Sequence, residues 1–185
     1  TTVVSTSVND APTLAGTVAG QTVSDQATID PFTGVTIGDV DNPAQTLTVD
    51  VQLDLAAKGV LTNLGGFTDL GGGLYRFSGT AAAATTAIRG LTFDPTENRV
   101  APGLTETTTF TITVDDAVAG PVSDGITTVV STSINDAPTI AGTVAGQAAT
   151  DKPTVDPFSG VTIGDVDNPA QTLTVDVQLD LAAKG

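Results

Sequence analysis

Hydrophobic and polar residues alternate along several short stretches of this chain, which is the pattern of half-buried β-strands. In Thr46–Leu55 every second residue is Leu or Val, and all the residues between them are Thr, Asp or Gln. Thr107–Val114 alternates in the same way, with Phe110 and Ile112 among the residues expected to point inward. Both patterns predict antiparallel strands that bury one face.

Shorter strands and one helix complete the predicted elements. The segment Thr80–Gly90 is rich in Ala and ends at a glycine, so it predicts one or two helical turns. Further strands are predicted at Thr1–Val8, Val35–Ile37, Gly59–Asn63, Leu74–Phe77, Leu91–Phe93 and Ile126–Ile134. Many short strands separated by Gly, Pro and Asp turns favour an all-β fold, specifically a Greek-key β-sandwich with one short helix.

An internal repeat organises the whole chain. Residues 1–59 align without gaps to residues 127–185, an offset of 126 residues, and only nine positions differ. We therefore predict that residues 1–11 are the last strand and linker of a preceding repeat, that 12–138 is one complete repeat, and that 139–185 is the incomplete first part of the next. Most of the differing positions fall in one short polar stretch, which predicts a surface loop.

Charge and composition exclude several classes of function. The chain has 21 acidic and six basic residues, a net charge of −15, so it has little with which to neutralise phosphates or anionic membrane surfaces. It has neither His nor Cys, which rules out the usual catalytic triads and dyads, and the absence of Trp argues against a sugar-cleaving site. We expect no nucleic-acid partner, no membrane insertion and no enzymatic activity.

The strongest candidate for chemistry is the motif GDVDNP, which occupies 38–43 and recurs at 164–169. Asp39 and Asp41 stand two residues apart at the end of a predicted strand, where an irregular turn could direct both carboxylates at one ion. Calcium takes six to eight oxygen ligands, commonly from Asp, Asn and backbone carbonyls. The alternative is an Asx-turn that only ends the strand. The sequence leaves both interpretations open.

Three further acidic motifs have simpler alternatives. The predicted linker NDAP at 9–12, repeated at 135–138, is explained equally by a stiff turn, since proline alone would provide one. The segment DPTEN at 94–98 is explained by a turn or helix cap. The pair Asp115-Asp116 could add a separate site, and the simpler interpretation is a solvated strand end.

The order and spacing of these motifs resemble the cadherin-like repeats of giant bacterial surface adhesins, including the RTX and biofilm-associated kinds. The resemblance rests on NDAPT, GVTIGDVDNPAQTLTVDVQL, AIRGLTFDPTENRVAPG, TTTFTITVDD and the closing TTVVSTSINDAPT, and it covers most of the 126-residue unit. It implies a cadherin- or immunoglobulin-like sandwich in a tandem array, on a secreted or cell-surface protein, with calcium bound where two repeats meet.

The resemblance also implies which residues hold calcium. At the joint inside this chain they are Asp94 and Glu97 as the mid-domain pair, Asn135 and Asp136 as the linker, Asp165 and Asp167 as the next repeat's pair, and Asp25 as an early acid. At the preceding joint they are Asn9, Asp10, Asp39 and Asp41. The linker ends in Ala-Pro rather than Asn, so fewer than three ions are expected at each joint.

The expected function is that of a structural extender repeat, stiffened by calcium at the joints between neighbouring copies. One alternative is a subunit that assembles into an extracellular filament by strand exchange. Another is a repeat that itself binds a glycan, a protein or another surface or matrix component. The last alternative would require an exposed aromatic patch, and the sequence offers only Tyr75 and Phe77 for it.

Overall fold

The computed structural model describes residues 1–151 and 153–180, and these form two compact units. The first unit is Thr1–Ile134, and the second begins at Asn135. The division therefore falls at the first residue of the predicted linker. Of the predicted incomplete repeat 139–185, residue 152 and residues 181–185 lie outside the described residues.

The first unit is all-β with a single short helix, which confirms the predicted fold class. A 3-10 turn at Ala56–Lys58 accompanies the α-helix α1, Ala81–Arg89. Its strands are β1 Thr13–Ala15, β2 Gln21–Ser24, β3 Thr36–Gly38, β4 Leu47–Leu53, β5 Gly59–Thr62, β6 Thr68–Asp69, β7 Leu74–Gly79, β8 Thr92–Pro95, β9 Thr105–Asp115, β10 Val122–Asp124 and β11 Thr128–Thr132.

Most strands belong to one sheet, in the order β2-β11-β9-β4-β7-β6, with β10 also paired to β9. All pairs are antiparallel except β2 with β11. Two smaller sheets, β1-β3 and β5-β8, complete the unit. Buried side chains from all three sheets and from α1 form one hydrophobic core, as expected of a sandwich. The Greek-key connection itself stays a prediction.

The core is built by the strands that the alternating pattern predicted. Along β4 buried and half-buried residues alternate without exception, and its buried residues are Leu and Val. On β9, Phe110, Ile112 and Val114 are fully buried, as predicted. The Phe110 ring meets those of Phe32 and Phe93 edge-to-face, at centroid distances of 5.2 and 5.0 Å. This geometry is favourable because the positive edge of one ring faces the negative face of the next.

The predicted helix is present and is anchored at both ends. The Thr80 hydroxyl accepts a hydrogen bond from the Ala83 amide at 3.3 Å and caps the first turn. Three aliphatic residues on the inner face of α1 are buried in the core. At the other end, the Arg89 guanidinium donates to the carbonyl of Val35. The helix thus fastens the segment that leads into β3 to the sandwich.

Two predictions about the N-terminal part of the repeat are wrong. Thr1–Val8 is predicted to be a strand, but it forms none and all eight residues are exposed. The polar stretch predicted to be a surface loop contains β2, which pairs in parallel with β11. In both cases the presence of a neighbouring strand determines whether a strand forms. Thr128–Thr132 has the same sequence as residues 2–6, and it is a strand because β2 and β9 pair with it on either side.

The second unit shows the same dependence on partners. It contains β12, Thr139–Ala141, paired with β13, Thr162–Gly164, which matches the β1-β3 pair of the first unit. Its segment Leu173–Leu179 has the same sequence as β4, yet it forms no strand and is largely exposed. In the first unit β4 lies between β7 and β9, whose counterparts are absent from the second unit's sequence. Strand formation here is set by neighbours more than by intrinsic propensity.

Candidate functional site

Three carboxylates converge at one end of the first unit: Asp39, Asp41 and Asp116, hereafter the acidic cluster. Each offers one ligand oxygen, and these three oxygens lie within 4.8 Å of one another. Among the described residues this is the one such group of three or more potential ligands. Two of the carboxylates follow β3, and the third follows β9. They meet because the end of β9 pairs with the beginning of β4, at Asp115 and Thr48.

The turn that follows β3 forms the predicted Asx-turn and stays compatible with the ion-binding interpretation of the GDVDNP motif. The backbone amide of Asp41 donates to Asp39 Oδ1 at 2.9 Å, which is the hydrogen bond of an Asx-turn. The same turn brings both carboxylates into the acidic cluster. Turn formation and ion binding are therefore compatible at this site.

The predicted linker is bonded directly to the acidic cluster. The Asn9 side-chain amide donates to Asp116 Oδ2 at 2.8 Å, and the Asp10 backbone amide donates to Asp41 Oδ2 at 3.1 Å. The side chain of Gln45 donates to Asp41 Oδ2 at 3.1 Å and also to the Asn9 side-chain oxygen. All four residues predicted for the preceding joint are thus brought together.

Asp116 is the cluster residue that sequence reasoning missed. The sequence predicts a solvated strand end there, but the residue is only 5% exposed. Its Oδ1 accepts the amides of Val118 and Ala119, both at 2.8 Å. The hydrogen bond from the Asn9 side chain, together with these two amides, lowers the pKa of Asp116. The carboxylate is therefore held in its charged form, which is the form that binds metal.

The second unit repeats the linker arrangement with its own residues. The Asp136 amide donates to both oxygens of Asp167 at 3.3 Å, and the Gln171 side chain donates to Asn135 Oδ1 at 2.8 Å and to Asp167 at 2.9 Å. Asp165 Oδ1 accepts the Asp167 amide at 3.0 Å. All four residues predicted on this side of the internal joint lie in one hydrogen-bonded group.

The balance of charge differs in the second unit. Burial raises the pKa of Asp167, and the negative charges of Asp165 and Asp136 add to that effect, against an opposing hydrogen bond from the Asp136 amide. The ionised form of Asp167 is therefore disfavoured, and a cation placed beside it would relieve that cost.

The other three predicted ligands of the first unit, Asp25, Asp94 and Glu97, are not members of the acidic cluster. Asp25 follows β2. The last residue of β2 pairs with Thr132 of β11, and Thr132 pairs with Thr105 at the start of β9. Asp25 therefore lies near the opposite end of β9 from Asp115. An 11-residue strand spans about 35 Å. Asp94 is half-buried in β8, and Glu97 is exposed just after it. Within the first unit, these three acids form no group with three ligand atoms in metal-binding range.

The acidic cluster suits a hard cation. The atoms that could bind a metal here are carboxylate and amide oxygens, with no sulfur or imidazole. Such ligand atoms favour Ca²⁺ or Mg²⁺ over softer metals. Asp39 Oδ2 and Gln45 Oε1 are buried and have no hydrogen-bond partner. Buried oxygens of this kind normally have a partner, and a cation would supply one. The residues present therefore fit a divalent metal ion.

Comparison with known proteins does not identify a family. A scan against protein-family models and a search of the curated proteins each found no match. Among the described residues, no helix combines the length and the apolar character needed to cross a bilayer. The resemblance to cadherin-like adhesin repeats therefore rests on the sequence motifs alone.

Proposed function

We propose that this chain is part of an extracellular extender array, in which calcium bound at the acidic cluster stiffens the joint between neighbouring repeats. The observation that carries the proposal is the bonding of the linker pair Asn9-Asp10 to the same carboxylates that form the cluster. An ion at this place touches the entry to the repeat. It can therefore affect how firmly one repeat is attached to the next.

The proposed mechanism is electrostatic. Three carboxylates within 4.8 Å repel one another, and the donors from Asn9, Asp10 and Gln45 offset only part of that repulsion. A divalent ion would neutralise most of the remaining charge and so remove the repulsion within the cluster to which the linker is bonded. Calcium is preferred over magnesium because it tolerates irregular coordination by many protein oxygens, whereas magnesium keeps several waters.

The proposal includes an extracellular or cell-surface location and no catalytic role. Calcium at millimolar concentration outside cells would fill sites of modest affinity. The high negative charge is compatible with a long, soluble surface array and unfavourable for contact with nucleic acid. The partners in this proposal are neighbouring copies of the same repeat, with other surface or matrix components as further candidates.

Small-angle X-ray scattering on an array of two complete 126-residue repeats tests this function. We expect the maximum dimension to increase in calcium and to fall in EDTA, because the linker becomes stiff only when the ion is bound. Magnesium at the same ionic strength serves as the control for general charge screening. An unchanged maximum dimension in calcium and EDTA would contradict the stiffening role.

A second candidate function, filament assembly by strand exchange, is favoured by a separate observation. Residues 1–8 match 127–134 at all but the last position, and they form no strand, whereas Thr128–Thr132 is an inner strand. In the second unit, Ile140 and Phe158 are more than half exposed, whereas their counterparts Leu14 and Phe32 pack in or against the core. A segment with the sequence of an inner strand and exposed apolar side chains are thus both present among the described residues.

Sedimentation velocity over a range of concentrations tests this second candidate. Assembly by strand exchange predicts species larger than the monomer, and Val3→Asp should abolish them because its counterpart Val129 is fully buried. Val8→Asp, at the one position of the segment that differs from its copy, is the matched control. A monomer at all concentrations would exclude strand exchange by this chain.

A further inference from the structure

Asp25 is a buried carboxylate that uses both of its oxygens on backbone amides. It is 4% exposed and follows directly after β2. Its Oδ1 accepts the amide of Ile134 at 3.0 Å, and its Oδ2 accepts the amide of Asn98 at 3.1 Å. Its own amide donates to the carbonyl of Thr132 at 2.9 Å. One residue thus joins β2, the loop before β9, and the end of β11.

The two copies of the repeat both retain this carboxylate in a stretch that otherwise varies. Between residues 22 and 27 every position differs from its counterpart in 148–153 except one, and that one is Asp25, matched by Asp151. The changes around it replace Val23 by Ala and Ala27 by Pro. Retention of the acid agrees with a role for its carboxylate, and the hydrogen bonds to Ile134 and Asn98 supply that role.

The position of Ile134 connects this residue to the joint. Ile134 is the last residue of the first unit, and Asn135 begins the linker. The neighbouring Ser133 is held on both sides, since its amide donates to the carbonyl of Leu104 at 2.9 Å and its carbonyl accepts the amide of Gly103 at 2.8 Å. Beyond Ile134 the chain leaves the first unit, so the Asp25 bond is the final anchor before the linker.

We propose that Asp25 is a positioning residue that fixes the departure of the chain into the linker through backbone amides, and not a calcium ligand. An ionised carboxylate is well suited to this, because hydrogen bonds to a charged acceptor are stronger than those to a neutral one. The anchor restricts the motion of Asn135 without any metal. The inference therefore does not depend on the proposed calcium function.

The test compares Asp25→Asn with Asp30→Asn in the 185-residue chain, in EDTA. Both variants lose one negative charge, but Asp30 is exposed and bonded only to a side chain, the Thr92 hydroxyl. The side-chain amide that Asp25→Asn introduces would replace one acceptor oxygen by a donor. We expect amide hydrogen exchange at Ile134 or Asn98 to become about tenfold faster in Asp25→Asn alone.

Two further measurements separate positioning from a general structural role. In the folded Asp25→Asn variant, the NMR order parameter of Asn135 should fall from about 0.85 toward about 0.6, while those of the core strands stay unchanged. Calcium affinity at the acidic cluster should stay within about twofold of the wild type, since Asp25 lies at the far end of β9. Loss of a calcium ion bound elsewhere on the chain in Asp25→Asn, together with an unchanged Asn135 order parameter, would overturn the proposal in favour of a ligand role.

The wild-type protein provides a test that does not require the variant to fold. If Asp25 anchors the exit, the amides of Ile134 and Asn98 must exchange much more slowly than those of an unprotected chain, with or without calcium. Unprotected exchange at both amides in EDTA would refute the proposal. Failure of the calcium-stiffening function would leave this result unaffected, since the exchange measurement contains no metal.

Discussion

Replacing Asp116 by Asn should weaken calcium binding more than any other single charge change at the same strand end. Asp116 supplies one of the three cluster oxygens, all within 4.8 Å of one another. Asp115, its neighbour in the chain, accepts a hydrogen bond from the Ala117 amide and lies outside the cluster. The Asp115→Asn variant has the same net charge and the same side-chain change, so it is a matched control.

The size of the expected effect follows from Coulomb attraction. Between a divalent ion and a carboxylate about 4 Å away, even in the full dielectric of water, the attraction corresponds to about a 30-fold change in affinity. A ligand in direct contact lies closer, at about 2.4 Å, so about 30-fold is a minimum for a direct ligand. Asp115 is more exposed and lies outside the cluster, so its replacement should change the affinity by about threefold or less.

Isothermal titration calorimetry with calcium measures the effect, at constant ionic strength. The Asn side chain can keep the bonds from Val118 and Ala119 but not the one from Asn9, so circular dichroism should first confirm that the variant is folded. The expected result is binding weaker by about 30-fold or more in Asp116→Asn and little change in Asp115→Asn. Equal affinities in the two variants would refute the assignment of Asp116 as a ligand.

Three further predictions concern stability. Phe110→Ala should lower the free energy of unfolding of the first unit by about 3–5 kcal/mol, because it leaves a cavity between two aromatic rings; urea unfolding would measure this. Gly16→Ala should destabilise the unit much more than Gly20→Ala. Both glycines have positive φ, +79° and +69°, but a Cβ at Gly16 would lie 2.0 Å from a backbone oxygen, whereas nothing lies within 4 Å at Gly20; equal melting temperatures would contradict this. Because the pKa of Asp116 is lower in the folded state than its unfolded value of 3.8, its ionisation adds to the free energy of unfolding. This contribution is fully present above the unfolded pKa and is lost as the pH falls through the lower folded pKa. In EDTA, the stability difference between wild type and Asp116→Asn should therefore shrink below about pH 4, and a constant difference from about pH 7 to about pH 3 would argue against it.

The alternating strands could be predicted because their information is local. β4 and β9 each bury one face, and a buried face must be apolar at every second residue whatever lies opposite. The helix was predictable for a similar reason, since a run of Ala between Thr80 and Gly90 provides both propensity and ends. In these elements the local sequence pattern and the tertiary packing favour the same secondary structure.

β2 and Asp116 were not predictable because their partners are distant in sequence. β2 is short and mostly polar, and it becomes a strand through parallel pairing with β11, more than a hundred residues away. Asp116 looks like any acid at the end of a strand until Asn9, 107 residues earlier, donates to it. The repeat offered one usable signal, the retention of Asp25 among changed neighbours, and the structure explains that retention by hydrogen bonds to backbone amides.

The third carboxylate links ion binding to completion of the fold. Asp39 and Asp41 are brought together by a local turn, but Asp116 joins them only when β9 has paired with β4. The second unit contains the same local turn without β9, and there burial and like charges raise the pKa of Asp167. Because a metal ligand must be deprotonated and held in place, the folded sandwich offers a better site than the turn alone. On the proposal that the acidic cluster binds a divalent ion, ion binding and folding of the first unit should therefore stabilise each other.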